Sequence, residues 1–158
     1  MTEDEKEIAE QIASLINPEA SRSNMLPRKA EEIHMAIQKG RGFVIAENGM
    51  VICFVAIYEW PRYLEIGSVV TREEYRRRGY ASRLINEAVT AAKLMGDKPI
   101  IALTNPRSTR LFEALGFRHK PRKDEVQNGF WEPCKQTCID YGRWPKCHCT
   151  FMQFFRSE

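Results

Sequence analysis

Residues 69–92, VVTREEYRRRGYASRLINEAVTAA, constrain the fold more than any other stretch of the chain. Val69, Val70 and Thr71 are β-branched and read as the end of a strand. A basic turn, Arg76-Arg77-Arg78-Gly79-Tyr80-Ala81, comes next. Ala81, Leu84, Ile85, Ala88, Val89 and Ala92 then recur at helical spacing, with Arg83, Asn86, Glu87, Thr90 and Lys93 on the other face, which predicts an amphipathic helix. The first turn of a helix has unpaired N–H groups and the positive end of the dipole, so a strand, a basic turn and a helix start together can receive a phosphate. Gly79 would let the backbone approach a bulky anion closely. Taken alone, the arginine triplet reads equally as a solvated turn.

The flanking chain supplies the rest of a domain. Residues 3–16 read as a helix with Ile8, Ile12, Leu15 and Ile16 on one face, and Asn17-Pro18 predicts its end. A second short helix carries Ala30, Ile33 and Ile37 inward, with Gly40 beyond it. Residues 43–58 read as a hairpin around Asn48-Gly49, and the long apolar second strand predicts a central position covered on both faces. Residues 64–71 and 100–104 are further strands. Asn105-Pro106 predicts an N-cap and a first-turn proline for a helix closed by Gly116. Short strands are expected from Phe117 and Thr150. At 158 residues the chain is long enough for one domain with a full core. It has no apolar run of membrane-spanning length and starts acidic, so a cytoplasmic location, with no membrane partner, is the expectation. A net charge of +3 is too small to point to nucleic acid.

Residues 76–81 fit Gln/Arg-x-x-Gly-x-Gly/Ala, and residues 105–117, NPRSTRLFEALGF, fit Asn-x-x-Ser/Ala-x-x-x-Tyr/Phe-x-x-x-Gly-Phe. In this order and spacing they resemble the two motifs of the GCN5-related N-acetyltransferase (GNAT) superfamily. Leu15-Ile16-Asn17-Pro18, Met25-Leu26-Pro27-Arg28 before Glu31-Glu32, Glu65 and a Cys-bearing segment before the last strand make the chain most like bacterial amino-acid acetyltransferases of the N-acetylglutamate synthase type. The resemblance implies an α+β fold over residues 1–158. Its mixed, mostly antiparallel sheet would hold one parallel, splayed strand pair, with helices on both faces. The first strand of such proteins is missing here, which leaves a partner strand, and so a homodimer, open.

The resemblance also implies a reaction and a set of sites. An acetyl group would pass from acetyl-coenzyme A to a primary amine, with the α-amino group of an amino acid such as glutamate the leading acceptor. A polyamine, an antibiotic or a protein N-terminus are the alternatives. Val69, Val70 and Thr71 would hold the pantetheine through backbone groups, with the Val70 N–H polarising the thioester carbonyl. Arg76, Arg77, Arg78, Gly79, Tyr80, Ala81 and Ser82 would hold the pyrophosphate, and Asn105 and Phe112 would complete the cofactor site. Capping alone would also explain Asn105. Phe112 replaces a tyrosine that protonates the departing thiolate in many members, which leaves Tyr75, Tyr80, Tyr141 or water for that task. Glu65 is the candidate base, set against a merely solvated carboxylate, because the attacking amine must lose its proton. Arg28 is the candidate for the substrate carboxylate, set against a surface role, because a planar guanidinium matches that group.

Cys134, Cys138, Cys147 and Cys149 lie within sixteen residues, with His148 among them. In a reducing compartment they read as ligands rather than disulfides, and a structural zinc would lock the polar loop at 132–149. Their spacing departs from the usual Cys-x2-Cys pair, so chance clustering or a disulfide stays open. Cys53, in an apolar strand, reads as a core thiol. A different class of function, a small zinc-containing module binding nucleic acid or protein through Arg76–Arg78 and this loop, is the non-enzyme alternative.

Overall fold

A computed structural model describes residues 2–22, 24–119 and 149–155. Thr2 opens α1 (Glu3–Ser21) with a capping box: its hydroxyl accepts from the Glu5 N–H while the Glu5 carboxylate accepts from the Thr2 N–H. The helix does not stop at Asn17-Pro18 as its sequence predicts; Pro18 lies inside it. Proline removes one backbone bond, here to the Ser14 carbonyl. Ser14 and Pro18 are both exposed, so solvent can take that carbonyl. The extra turn carries Glu19 into a buried position. After a short link, α2 (Ala30–Gln38) packs through Ile33.

Strands β1 (Gly42–Glu47) and β2 (Met50–Glu59) form the expected hairpin. Asn48 and Gly49 both take positive φ, 50° and 79°, as a two-residue turn matched to strand twist requires. The remaining elements are β3 (Leu64–Thr71), α3 (Tyr80–Lys93), β4 (Ile100–Thr104), α4 (Thr109–Ala114), β5 (Phe117–His119) and β6 (Thr150–Phe154). The sheet order is β1-β2-β3-β4-β6-β5. Only β3 and β4 run parallel among the described strands. β2 is buried on both faces, against α3 and α4 on one side and α1 and α2 on the other. Leu84, Ile85, Ala88, Val89 and Ala92 are the buried stripe of α3. Truncating Leu84 to alanine would cost about 2–5 kcal/mol.

Two irregularities position the site. In β3, Gly67 lies opposite Ala56 and Val70 opposite Phe54, so Ser68 and Val69 together face Val55 alone. This is a β-bulge, with Ser68 at φ 52°. It reverses the strand's parity. Leu64 and Ile66 pack beneath α3, and past the bulge Val69 joins that cluster while Val70 turns to α1. The second irregularity is the parallel ladder, which consists of Leu64↔Ile100 and Glu65↔Ile101 and then ends. β3 continues to Thr71 and β4 to Thr104 without pairing to each other, and a slot opens between them.

Candidate active site

A cavity of about 330 Å³ lies in this slot. Val69, Val70 and Thr71 form one wall. Arg76, Arg77 and Gly79 form the mouth with Tyr80, Ala81 and Ser82 of α3, and Asn105 stands opposite. Gly79 is the N-cap of α3 at φ 85°, and no side chain caps the helix. The first intrahelical bond runs from the Arg83 N–H to the Gly79 carbonyl at 3.1 Å. The N–H groups of Tyr80, Ala81 and Ser82 therefore have no carbonyl of their own helix to bond. A Cβ placed on Gly79 would meet nothing within 4 Å, which leaves the backbone open to a ligand. No acidic residue stands in the first turn of α3 to repel an anion. These features fit the diphosphate of acetyl-coenzyme A.

The β2–β3 ladder decides which backbone groups face the slot. The Arg72 N–H donates to the Ile52 carbonyl at 2.7 Å. Bonded pairs alternate along an antiparallel ladder, so the Val70–Phe54 pair two residues earlier is also bonded. The Val70 N–H therefore points to β2, and that of Thr71 points to the slot. The donor expected at Val70 is therefore engaged with β2 rather than turned to the slot. Arg78 stays outside the slot, with its guanidinium 5.3 Å from the centre of the Tyr75 ring. Arg76 is tied inward: its Nε donates to the Thr71 carbonyl at 3.2 Å and its Nη2 to Glu19 at 3.3 Å. Tyr75 and Tyr80 lie edge to face, and both line the slot.

Asn105 caps the turn that leads into α4, as its sequence predicts: its carbonyl accepts from the Thr109 N–H at 3.0 Å. Its Oδ1 accepts from the N–H groups of Arg107 and Ser108, as an N-cap side chain does, and the regular part of α4 follows from Thr109. Its Nδ2 donates to the Asn24 carbonyl at 2.8 Å, which ties this turn to the link after α1.

A second pocket adjoins the first across Val69 and Asn105 and contains Glu65, Arg28, Ser68 and Phe112. Glu65 belongs to the last pair of the parallel ladder, at the apex of the splay. It is buried rather than solvated, because the sheet is covered on this face too. Burial raises its pKa, and the hydrogen bond from the Trp60 indole at 3.1 Å and the Arg28 charge oppose that rise without cancelling it. Arg28 lies over the Tyr58 ring, 4.1 Å from its centre, and 3.6 Å from Glu32. Its Nε is buried and has no hydrogen-bond partner among the described residues. Tyr58 bonds Ser68 at the bulge. Phe112 sits on the core side of this pocket, edge to face with Phe117, and has no proton to give.

Cys134, Cys138, Cys147, His148 and Tyr141 lie outside the described residues. Cys149 lines the second pocket. No group of three or more His, Cys, Asp or Glu could hold a metal among the described residues. Nor is any described helix long and apolar enough to cross a membrane. Glu19, Asn24, Arg107 and Tyr58 were not singled out by sequence. Only Asn24, in a polar link, and Arg107, inside the second motif, carried any signal.

The sequence model of the acetyltransferase (GNAT) family matches residues 9–117. The chain belongs to this family. The matched span of the GNAT domain runs from α1 to the start of β5 and includes the first pocket and all the residues named for the second except Cys149. Comparison with curated proteins returns no match. Among solved structures, the domain resembles Rv2747 from Mycobacterium tuberculosis, in complex with CoA, at TM-score 0.74, 16% identity and 96% coverage of each chain. N-acetylglutamate synthase from Neisseria gonorrhoeae, complexed with coenzyme A and N-acetyl-glutamate, gives TM-score 0.70 and 18% identity. That match covers 92% of this chain and 32% of the synthase, so the chain spans about a third of the synthase's length. Tetrahymena GCN5 gives TM-score 0.62 and 16% identity over 97% of this chain and 89% of that one. At these identities the likeness is one of fold: a six-stranded sheet, mostly antiparallel, with one parallel pair.

Proposed function

We propose that the chain transfers an acetyl group from acetyl-coenzyme A to the α-amino group of a small amino acid, with glutamate the leading candidate. The observation that carries this reading is the junction of two pockets at Val69. One is lined by unpaired helix N–H groups and the other by a buried carboxylate beside an arginine.

Bound acetyl-coenzyme A supplies the acetyl group as a thioester whose thiolate can leave near neutrality, a free thiol having a pKa of roughly 8.5. The N–H groups of Tyr80, Ala81 and Ser82 hold the diphosphate. Backbone groups of Val69 and Thr71 hold the pantetheine. Glu65 accepts the proton that the acceptor's ammonium must lose. A carboxyl group pushed upward by burial is suited to that exchange, because its proton affinity is nearer to that of the amine. Arg28 meets the acceptor's carboxylate with the buried Nε that has no partner among the described residues. The zinc reading of Cys134, Cys138, Cys147 and Cys149, with His148 as alternative ligand, is a separate proposal, tested by metal analysis of the purified protein.

The test is thiol release from acetyl-coenzyme A in the presence of each of the twenty amino acids. Turnover with an amino acid supports the reading. Stabilisation by coenzyme A without turnover on any amino acid, but with turnover on a polyamine or a peptide N-terminus, moves the acceptor elsewhere. A gel shift of random RNA or DNA with no stabilisation by coenzyme A replaces the reading with a binding module.

A further inference from the structure

Glu19 is a carboxylate at the edge of a slot fitted for a polyanion, where its charge alone would oppose binding. It is 8% exposed and saturated with donors. Oε1 receives Arg76 Nη2 at 3.3 Å and Arg22 Nη1 at 3.4 Å. Oε2 receives Asn24 Nδ2 at 2.7 Å and Arg107 Nη1 at 3.2 Å. Arg76 belongs to the loop after β3 and Arg107 to the turn after β4, so the two come from opposite walls of the slot. Asn24 extends the tie, because its carbonyl accepts from Asn105 on the second wall.

We infer that Glu19 is a positioning residue for acetyl-coenzyme A: a strut from α1 that holds Arg76 and Arg107 across the slot and sets its width. The inference rests on reading the slot as the acetyl-coenzyme A site. Each guanidinium gives Glu19 one nitrogen, and Arg107 is still half exposed, so charge remains on both walls for the phosphates. Without the strut, β3 and β4 have no ladder past Glu65 to fix their separation there. The extra turn of α1 beyond Pro18 has this consequence for the slot.

The experiment measures coenzyme A binding by calorimetry and steady-state kinetics for wild type, Glu19→Gln, Glu19→Asp, Arg107→Ala and the Glu19→Gln/Arg107→Ala double variant. The expected result is a roughly tenfold rise in Kd for coenzyme A and in KM for acetyl-coenzyme A in Glu19→Gln, a rise of about 1.4 kcal/mol. The acceptor KM and kcat stay within about twofold. Glu19→Asp should recover part of the loss. Arg107→Ala should weaken binding less when Glu19 is already replaced, because the two act as one unit. Arg107 is exposed enough that its single variant folds even if Glu19→Gln does not, and unchanged binding in Arg107→Ala overturns the inference. So does wild-type or tighter binding in Glu19→Gln, which would make Glu19 a mere opposing charge. Wild-type protein that binds no coenzyme A removes the cofactor reading itself, and the strut with it.

Discussion

Glu19 and Glu65 are both buried glutamates, one beside each pocket, and their surroundings drive them in opposite directions. Burial works to raise the pKa of each. At Glu19 a hydrogen bond from Asn24 and the charges of Arg107 and Arg76 outweigh burial, and the carboxyl sits below its ordinary value. At Glu65 one indole N–H and the Arg28 charge do not, and the carboxyl sits above it. The lesson is that depth alone does not assign a carboxylate its task; the number of donors around it does. A saturated glutamate is a structural anion. An under-satisfied one is able to exchange a proton.

The largest expected effect tests the second half of that contrast. Glu65→Gln should lower kcat by about 10²–10⁴-fold, the usual contribution of a general base, with KM for acetyl-coenzyme A unchanged. Wild-type kcat should rise with pH through the elevated Glu65 pKa, and that limb should vanish in Glu65→Gln. A pH profile identical in both proteins would return Glu65 to the role of a structural group. Next in size is Arg28→Ala. A charge-assisted bond is worth about 1.5–3 kcal/mol, so the acceptor KM should rise about 10–100-fold at near-constant kcat. Lysine at position 28 should not restore it, since the planar donor is lost.

A stability measurement sharpens the comparison further. Because the pKa of Glu65 is raised on folding, its contribution is present below the ordinary carboxylate value near 4.5 and is lost as pH rises through the folded value. Chemical denaturation should therefore find Glu65→Gln more stable than wild type at pH 8, with the gap closing toward pH 4. Glu19, with a lowered pKa, contributes above the ordinary value and loses that contribution as pH falls through the folded one. Glu19→Gln should thus be less stable than wild type at pH 7, and the deficit should shrink in acid. Opposite pH trends are the signature; parallel trends would dissolve the distinction. The smallest effect is expected for Gly67→Ala. A Cβ there would lie 3.1 Å from Glu65 Oε2 and from Tyr58 Cε2. Crowding of about 1–3 kcal/mol is partly offset by roughly 0.4–1 kcal/mol of lost unfolded-state freedom. Net stability should fall by only about 1 kcal/mol, while the acceptor KM should rise a few-fold as Glu65 is pushed from the indole.

Much of the fold was legible because local signals carried it. Asn48-Gly49 marked the hairpin turn, and the stripe from Ala81 to Ala92 marked α3. Pro18 misled because its cost depends on whether Ser14 faces solvent, a tertiary fact. Asn105 did not mislead: its side chain and carbonyl take the N–H groups of Arg107, Ser108 and Thr109 as a cap does, one turn ahead of the regular helix. The burial of Glu65 was not legible because one residue in a strand does not declare what covers each face. The turn of the Val70 N–H toward β2 goes with the bulge at Ser68, which a run of β-branched residues hides. The strut at Glu19 joins residues 57 and 88 positions apart in the chain. A single sequence does not announce such a meeting.

The bare start of α3 has a consequence for how the protein endures heat. Many helices carry their own lid in a serine, threonine or aspartate, as Thr2 does for α1, but Gly79 supplies none. Under the proposed function, the missing lid is borrowed from the coenzyme each time it docks. At a hundredfold excess over Kd, that loan would add about 2.7 kcal/mol to the folded state. The resilience of this chain would then rise and fall with the supply of activated acetyl groups around it.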